Sequence, residues 1–240
     1  MLILVIDLTL LSPKTLKYTI ALLIIMDKKL SSMDLYFLIR ELDVLLDSKV
    51  DKIFQKDKEE ITFQLHSPGK GKKLLKISLP SMMFLTQYKG EQPQTPPGFC
   101  VFLRKHLKQA RLRKIEQKEF ERIIDIHFET KEKKLHFIAE LFSDGNMLLC
   151  DENYKIMSPL FTQNWKDRTI RGGIQYTYPK RDNNILDMSE KDFISACDRS
   201  EKESIVKTLA LEFGLGGVYA EELCSRAGID KNKKKPDEKE

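Results

Sequence analysis

The sequence predicts an α+β fold: an antiparallel, β-rich N-terminal domain over residues 26–180, followed by a small all-helical domain over residues 186–230. Three observations predict this organisation. Short stretches of alternating apolar and polar residues, separated by turn formers, recur from position 49 to position 157 and indicate antiparallel strands. Apolar residues at helical spacing precede them and dominate again beyond position 189. The 240 residues, 41% of them hydrophobic, suffice for a buried core.

The first 25 residues are strongly apolar but fit neither a membrane-spanning helix nor a secretory signal. Lys14 and Lys17 interrupt the apolar run, whereas a span needs roughly twenty apolar residues. A signal peptide would carry positive charge before the run, and none is there. Met26 and Met33 lie directly downstream. We therefore interpret residues 1–25 as a non-native upstream extension or a disordered leader, and we expect no membrane among the partners.

A helix and then a meander of strands are predicted next. Apolar residues recur at helical spacing from position 35 to position 46, and Ser31 or Ser32 is placed to cap the helix. Asp34 is therefore expected near its start. The strand candidates are KVDKIFQ, EITFQLH and LLKISLP, and the proline-rich loop GEQPQTPPG follows them.

Eight Lys and Arg residues lie in the 24 positions from Phe99 to Arg122. The spacing predicts a helix from Phe99 in which Arg104, Lys108 and Arg111 stack on one face, with Lys105 beside them. Such like charges repel by a few tenths of a kcal/mol per pair in an isolated helix. A phosphate backbone would convert that repulsion into binding, so we interpret the cluster as an RNA-binding face, with a solvated helix face as the alternative.

Three further strands are predicted in RIIDIHFET, KLHFIAELF and NMLLCDENYKIM. His127 and His136 are expected to face each other across the first hairpin, but two histidines make an incomplete metal site, so we interpret them as surface neighbours. The four cysteines lack zinc-site spacing and are expected to be buried thiols of a cytoplasmic protein. We expect no metal, no cofactor and no catalytic residue.

The C-terminal part predicts helices joined by a glycine-rich turn. Ser189 and Asp192 form a capping-box start. In the turn GLGG, the glycines Gly214, Gly216 and Gly217 precede a helix, where backbone N–H groups can hold a phosphate, as in a helix-hairpin-helix module. An ordinary helix cap is the alternative interpretation. Residues 231–240 are predicted to be a charged, disordered tail.

Several stretches between Lys29 and Asp230 together resemble the N-terminal part of the NFACT proteins, the RqcH, NEMF and Caliban group of ribosome-associated quality-control factors, and most of all their archaeal members. The order, spacing and character of five separate blocks agree. These blocks are SSMDLYFLIRELDVLLDSKVDKIFQ, PPGFCVFLRKHLKQARL, FERIIDIHF, FIAELFSDGNMLLCD and LEFGLGGVYAEELCSRAGID.

The resemblance implies an N-terminal domain related to that of formamidopyrimidine-DNA glycosylases, followed by a helix-hairpin-helix domain. It also implies binding to large ribosomal subunits (rRNA) obstructed by peptidyl-tRNA, and recruitment of charged tRNA, chiefly alanyl-tRNA, for template-free extension of the stalled chain. Since peptidyl transfer belongs to the ribosome, such a factor is a binding protein and not an enzyme.

The family's tRNA-binding motif falls on Asp34 and on the pair Glu121–Arg122. The family has an aspartate where Glu121 stands, and the extra methylene displaces the carboxylate by about one bond length. The planar guanidinium of Arg122 suits bidentate contact with phosphate or a base edge, and an ion pair is the alternative.

The coiled coil and the C-terminal RNA-binding domain that the resemblance implies do not follow Glu240. We interpret the sequence as a split or truncated member or an isolated domain pair, so that a separate chain carrying those parts is a candidate partner. Two other classes are alternatives. A DNA glycosylase would need an N-terminal proline as its attacking amine, which neither candidate start supplies. A module that binds an acidic protein through the basic helix would resist nuclease treatment.

Overall fold

A computed structural model describes residues 29–69, 71–166, 168–179 and 184–234. The segment interpreted as a leader, residues 1–25, lies outside them, as do residues 235–240 of the predicted tail. In the described part of the chain, no helix is long and apolar enough to cross a bilayer. The larger elements are α1 (Ser32–Glu41), β1 (Lys49–Gln55), β2 (Glu60–Ser67), β3 (Gly71–Ser78), β4 (Met82–Thr86), α2 (Gly98–Leu107), β5 (Arg111–Gln117), β6 (Ile123–Glu129), β7 (Lys134–Glu140), β8 (Asn146–Asp151) and β9 (Ile156–Pro159).

Strands β1 to β9 form one antiparallel sheet in the order β4-β3-β2-β1-β5-β6-β7-β8-β9. Three strands separate β2 from β7, yet the rings of Phe63 on β2 and Phe137 on β7 lie 4.9 Å apart, edge to face. The sheet therefore folds over, and its two halves enclose the main core between them. The halves join where β1 meets β5, at the register pair of Lys49 and Arg111.

The outer face of the second half carries a smaller core. Its apolar members on the strands include Ile123, Ile138 and Leu148, and the segment from Tyr154 to Tyr178 covers them. This segment contains the two-residue strands β10 (Gln163–Asn164) and β11 (Thr169–Ile170). Because both faces of β6 to β8 are covered, nearly all residues of these strands are buried, which is unusual for antiparallel strands.

The predicted strand over NMLLCDENYKIM is divided in two by a turn. The Tyr154 amide donates to the Asp151 carbonyl over 3.0 Å, and Tyr154 has a left-handed φ of 62°. Strands β8 and β9 then pair as a hairpin. The first helix, in contrast, begins where it was predicted: Ser31 is its N-cap, and Ser31 and Asp34 form a reciprocal capping box.

The basic helix is shorter than predicted, and Arg111 does not lie on it. Helix α2 ends at Leu107, Lys108 is its C-cap with ψ 124°, and Gln109 has a left-handed φ of 61°. Arg111 instead opens β5, because Leu112 exchanges backbone hydrogen bonds with the chain just before β1, donating to the Ser48 carbonyl over 2.9 Å. The prediction that Arg104, Lys108 and Arg111 stack on one helical face is therefore wrong.

The C-terminal part is helical, as predicted. It comprises α3 (Glu190–Arg199), the single turn α4 (Ile205–Lys207) with a π-turn after it, and α5 (Gly217–Ala227). Ser189 caps α3 and accepts from the Asp192 amide. These helices share a core with Phe120 from the turn before β6 and with Met33 and Tyr36 from α1. They pack directly on the sheet-bearing part of the molecule.

Candidate functional site

A cavity of about 450 Å³ lies where the C-terminal helices meet α1 and the turn before β6. We call it the junction cavity. Its polar walls come from Lys29, Ser31, Glu121 and Arg122, and Leu211 is among its apolar residues. The other lining residues are Leu30, Ser32, Phe142, Pro179, Ala210, Gly214 and Gly216. The structure thus brings together the pair Glu121–Arg122 and two of the predicted phosphate-loop glycines, which are about 90 positions apart in the sequence.

Backbone hydrogen bonds hold the pair Glu121–Arg122 at the cavity. The Gln117 side-chain amide donates to the Ser32 carbonyl over 2.9 Å and to the Glu121 carbonyl over 2.8 Å, which ties the turn to the start of α1. The Leu141 amide donates to the Arg122 carbonyl over 2.7 Å. The pair precedes β6, which begins at Ile123, so it lies on a fixed turn and not at the predicted strand start. Both side chains are half-buried.

The glycine turn forms the opposite wall. Gly214 and Gly216 have left-handed φ values of 71° and 79°, which favour glycine. A Cβ atom on Gly216 would lie 2.8 Å from the Ser31 Cβ, so the turn approaches the α1 cap as closely as a glycine allows. Gly217 is the first residue of α5, is exposed, and does not line the cavity.

Asp34 lies behind the cavity wall and has protein partners on both oxygens. One oxygen accepts from the Ser31 amide and hydroxyl, each over 2.8 Å, and the other accepts from the Tyr219 hydroxyl over 2.7 Å. The hydrogen bond to Asp34 raises the pKa of Tyr219. Asp34 therefore links the start of α1 to α5, and its predicted RNA contact would have to coexist with these bonds.

A second concave surface, which we call the basic groove, has a volume of about 730 Å³. It contains Lys105, Lys108 and Arg111 from the predicted RNA-binding set. Its other charged lining residues are Lys49, Arg113, Glu129, Lys131, Glu132 and Lys133. In the described part of the chain, neither Lys105 nor Lys108 has a carboxylate oxygen within 4.0 Å, so the groove exposes a surplus of positive charge.

Arg104 does not line this groove. Its Nε donates to the Ile53 carbonyl over 2.8 Å, which fastens α2 to β1. The groove and the junction cavity also lie at opposite ends of β5, because Arg111 begins this strand and the turn to Glu121 follows its end. Seven strand residues span roughly 20 Å. The predicted cations and the Glu121–Arg122 pair are therefore two separate surfaces.

A polar cluster on the outer face of the sheet was not predicted from the sequence. Asp125 is fully buried, and His136, predicted to be a surface residue, is only 8% exposed, so that prediction is wrong. His127 and His136 do pair across β6 and β7, as predicted. Burial alone would raise the pKa of Asp125, but hydrogen bonds from His127 and His136 hold it well below its usual range. The sequence feature that could have revealed the cluster is the spacing of Asp125 and His127, which are two positions apart and therefore lie on one face of a strand.

The chain is similar to ribosome quality control proteins. The family described as NFACT N-terminal and middle domains matches residues 31–239. The archaeal Rqc2 homolog aRqcH of Methanocaldococcus jannaschii is 34% identical over 225 residues, which cover 90% of this chain and 34% of that protein. Ribosome quality control complex subunit 2 of Saccharomyces cerevisiae is 33% identical over 135 residues, covering 55% of this chain and 13% of that protein. The chain spans about a third of the length of the archaeal relative.

A solved structure shares the fold. The N-terminal domain of the fibronectin-binding protein PavA from Streptococcus pneumoniae matches with a TM-score of 0.72 at 27% identity, covering 82% of this chain and 79% of that one. This match confirms the predicted antiparallel, β-rich architecture with helices.

Proposed function

The chain belongs to the NFACT family of ribosome quality control factors, and from this we propose that it binds tRNA and the large ribosomal subunit. In this proposal it recruits charged tRNA, specifically alanyl-tRNA, to subunits obstructed by peptidyl-tRNA in the cytoplasm. The stalled chain is then extended at its C-terminus without a template. Peptidyl transfer stays with the ribosome, so the protein acts by binding and not as an enzyme.

The observation that carries the proposal is the composition of the junction cavity. It combines a half-buried arginine and a carboxylate on a fixed turn with a glycine turn that precedes a helix. A guanidinium suits phosphate and base edges, a carboxylate accepts from base amino groups, and the N-terminus of a helix favours negative charge. The proposal assigns the sheet-bearing part to a glycosylase-like fold and the C-terminal helices to a helix-hairpin-helix module.

The basic groove supplies a second, less specific contact. Its surplus cations would engage the phosphate backbone of an RNA that also reaches the cavity, and the roughly 20 Å between the two surfaces is spanned by about six base pairs. Phosphate contacts of this kind position an RNA, whereas the cavity would select it. Binding should therefore weaken steeply with salt.

The test is filter binding of alanyl-tRNA at low and moderate salt with Arg122→Ala. We expect a loss of about tenfold or more in affinity, as for removal of one bidentate arginine contact. Arg226→Ala is the matched control, because Arg226 is exposed on α5 and pairs only with the neighbouring Glu222 among the contacts in the described residues. Thermal unfolding of both variants separates lost binding from lost folding.

Two outcomes would contradict the proposal. One is an affinity that Arg122→Ala and the control change equally. The other is capture of an acidic protein that survives nuclease treatment while tRNA does not bind, which would favour a protein-interaction module.

Glu121→Asp tests the position at which the family has an aspartate: if the shorter carboxylate contacts RNA more closely, tRNA affinity should rise.

A further inference from the structure

The polar cluster on the outer face of the sheet has the geometry of a metal site. On β6, Asp125 and His127 point to this face, and His136 on β7 is directly opposite His127. One ligand atom from each of the three residues lies within 4.8 Å of the others. Glu116 on β5 is opposite Asp125 and joins the cluster from the side that solvent reaches.

We propose that Asp125, His127 and His136 bind one divalent transition-metal ion of the zinc class, with the fourth coordination position on the side of Glu116. A tetrahedral zinc ion with bonds of about 2.0 Å holds its ligand atoms about 3.3 Å apart. The His136 Nδ1 lies 3.1 Å from either Asp125 oxygen, and the His127 Nε2 lies 3.4 Å from Asp125 Oδ2. The Glu116 Oε1 lies 2.9 Å from the His127 Nε2. The metal would take the place of the protons that now join these atoms.

Neighbouring hydroxyl groups orient the carboxylate. The Tyr154 and Tyr178 hydroxyls donate to Asp125 Oδ2 over 2.9 and 3.0 Å, and the His136 Nδ1 lies 3.1 Å from both Asp125 oxygens, so these contacts hold the carboxylate in place. Partners of this kind, outside the ligands themselves, fix the direction of a ligand and usually accompany metal sites. The ring of His136 also packs on that of Tyr154, with centroids 4.1 Å apart, so its rotamer is fixed before any ion binds.

The donor set selects the class of ion. Two imidazole nitrogens with carboxylate oxygens suit zinc and its first-row neighbours, whereas calcium and magnesium prefer oxygen alone. The side chains of Glu116 and His127 are about a quarter exposed, at 25% and 26%, which gives the ion a way in. The three ligands come from neighbouring strands, so the ion would fasten β6 to β7 beneath the segment from Tyr154 to Tyr178, with its fourth position toward Glu116 and solvent.

The test uses the whole chain after removal of metal with a chelator. We expect one Zn²⁺ per chain in competition with a chromophoric chelator, and the intense visible absorption of four-coordinate Co²⁺ when cobalt replaces zinc. A near-ultraviolet thiolate-to-cobalt band would place the ion on cysteine and overturn the proposal. Bound zinc should also raise the thermal unfolding midpoint.

The deciding variant is His127→Gln, since His127 is partly exposed and its replacement should leave the fold intact. We expect its zinc affinity to fall by more than about tenfold and the cobalt absorption to disappear. His66→Gln is the matched control, because His66 is exposed on β2, outside the cluster. Equal zinc affinity in the two variants, or no stoichiometric binding by the unchanged chain, would overturn the proposal. The RNA proposal does not depend on either result.

Discussion

The polar cluster and the basic groove both contain charged residues of β5 to β7, but the charges are buried and paired in the cluster and exposed and in excess in the groove. In the cluster, Asp125 is fully buried and accepts hydrogen bonds from histidine and tyrosine side chains. In the groove, Lys105 and Lys108 are exposed and the cations outnumber the acids. A buried charge is tolerable only when it is matched, whereas exposed like charges cost little and remain available to a ligand. We therefore expect cluster residues to govern stability and groove residues to govern binding.

The largest effect should come from a buried carboxylate on the same outer face. Glu140 is 2% exposed, accepts from the Tyr176 hydroxyl over 2.7 Å and pairs with Arg168. Glu140→Ala should lower the free energy of unfolding by about 3–5 kcal/mol, because it leaves the largely buried guanidinium of Arg168 without its carboxylate partner. Glu129→Ala, which breaks an exposed pair with Arg113, should cost about 1 kcal/mol or less. Urea unfolding measures both, and equal losses would show that burial does not set the cost of removing a paired carboxylate.

A smaller effect is expected where the glycine turn meets α1. Gly216→Ala forces a side chain into a left-handed conformation and against Ser31, so we expect a loss of about 1–3 kcal/mol in unfolding free energy. Gly217→Ala is the control, since a Cβ there meets nothing within 4 Å. If both variants are equally stable in urea, the close approach of the turn to α1 does not exist in solution.

Charge reversal in the groove should change binding and leave stability alone. For Lys105→Glu combined with Lys108→Glu, we expect tRNA affinity to fall about tenfold, equal to about 1.4 kcal/mol, and the salt dependence to become shallower. The unfolding free energy should stay within about 0.5 kcal/mol of the unchanged chain. Lys58→Glu, in the exposed β1–β2 connection, serves as control in the same filter-binding series. If the free energy of unfolding fell as much as the free energy of binding, the groove residues would govern stability as the cluster residues do.

The smallest effect is a pH dependence of the metal-free protein. The hydrogen bond to Asp125 raises the pKa of His127, so folding favours its protonated form. The resulting stability is fully present below the unfolded-state pKa of about 6.5 and is lost as pH rises through the raised folded-state pKa. The stability difference between the chain and His127→Gln, measured in chelator, should therefore shrink as pH rises above about 6.5. A difference that grows instead would contradict the assigned protonation.

Local patterns predicted the elements well where one rule decided the outcome. Alternation identified β1, β2, β6 and β7, and the capping signals located the starts of α1 and α3. The helical pattern wrongly included Arg111, because apolar residues continue at helical spacing through Ala110. The hydrogen bonds of Leu112 to the chain before β1 place Arg111 in a strand instead. Those bonds depend on tertiary contacts that no local window contains.

The candidate site was predictable in part, through the family resemblance. Asp34, Glu121 and Arg122 were singled out from it, and their roles in binding stay predictions. What the sequence could not indicate is that Gly216 approaches Ser31, since this contact depends on how the C-terminal helices dock. The burial of His136 was equally hidden, because Tyr154, whose ring packs on it, follows only after the next strand.

The pairing of Lys49 with Arg111 has a mechanical consequence. These two cations face each other at the joint between the halves of the folded sheet, and both also line the basic groove. Like charges opposite each other on neighbouring strands weaken their pairing. A polyanion in the groove would neutralise these charges and stabilise the pairing of β1 with β5. Hydrogen exchange at the Val50 and Leu112 amides, which donate across this joint, should then become slower.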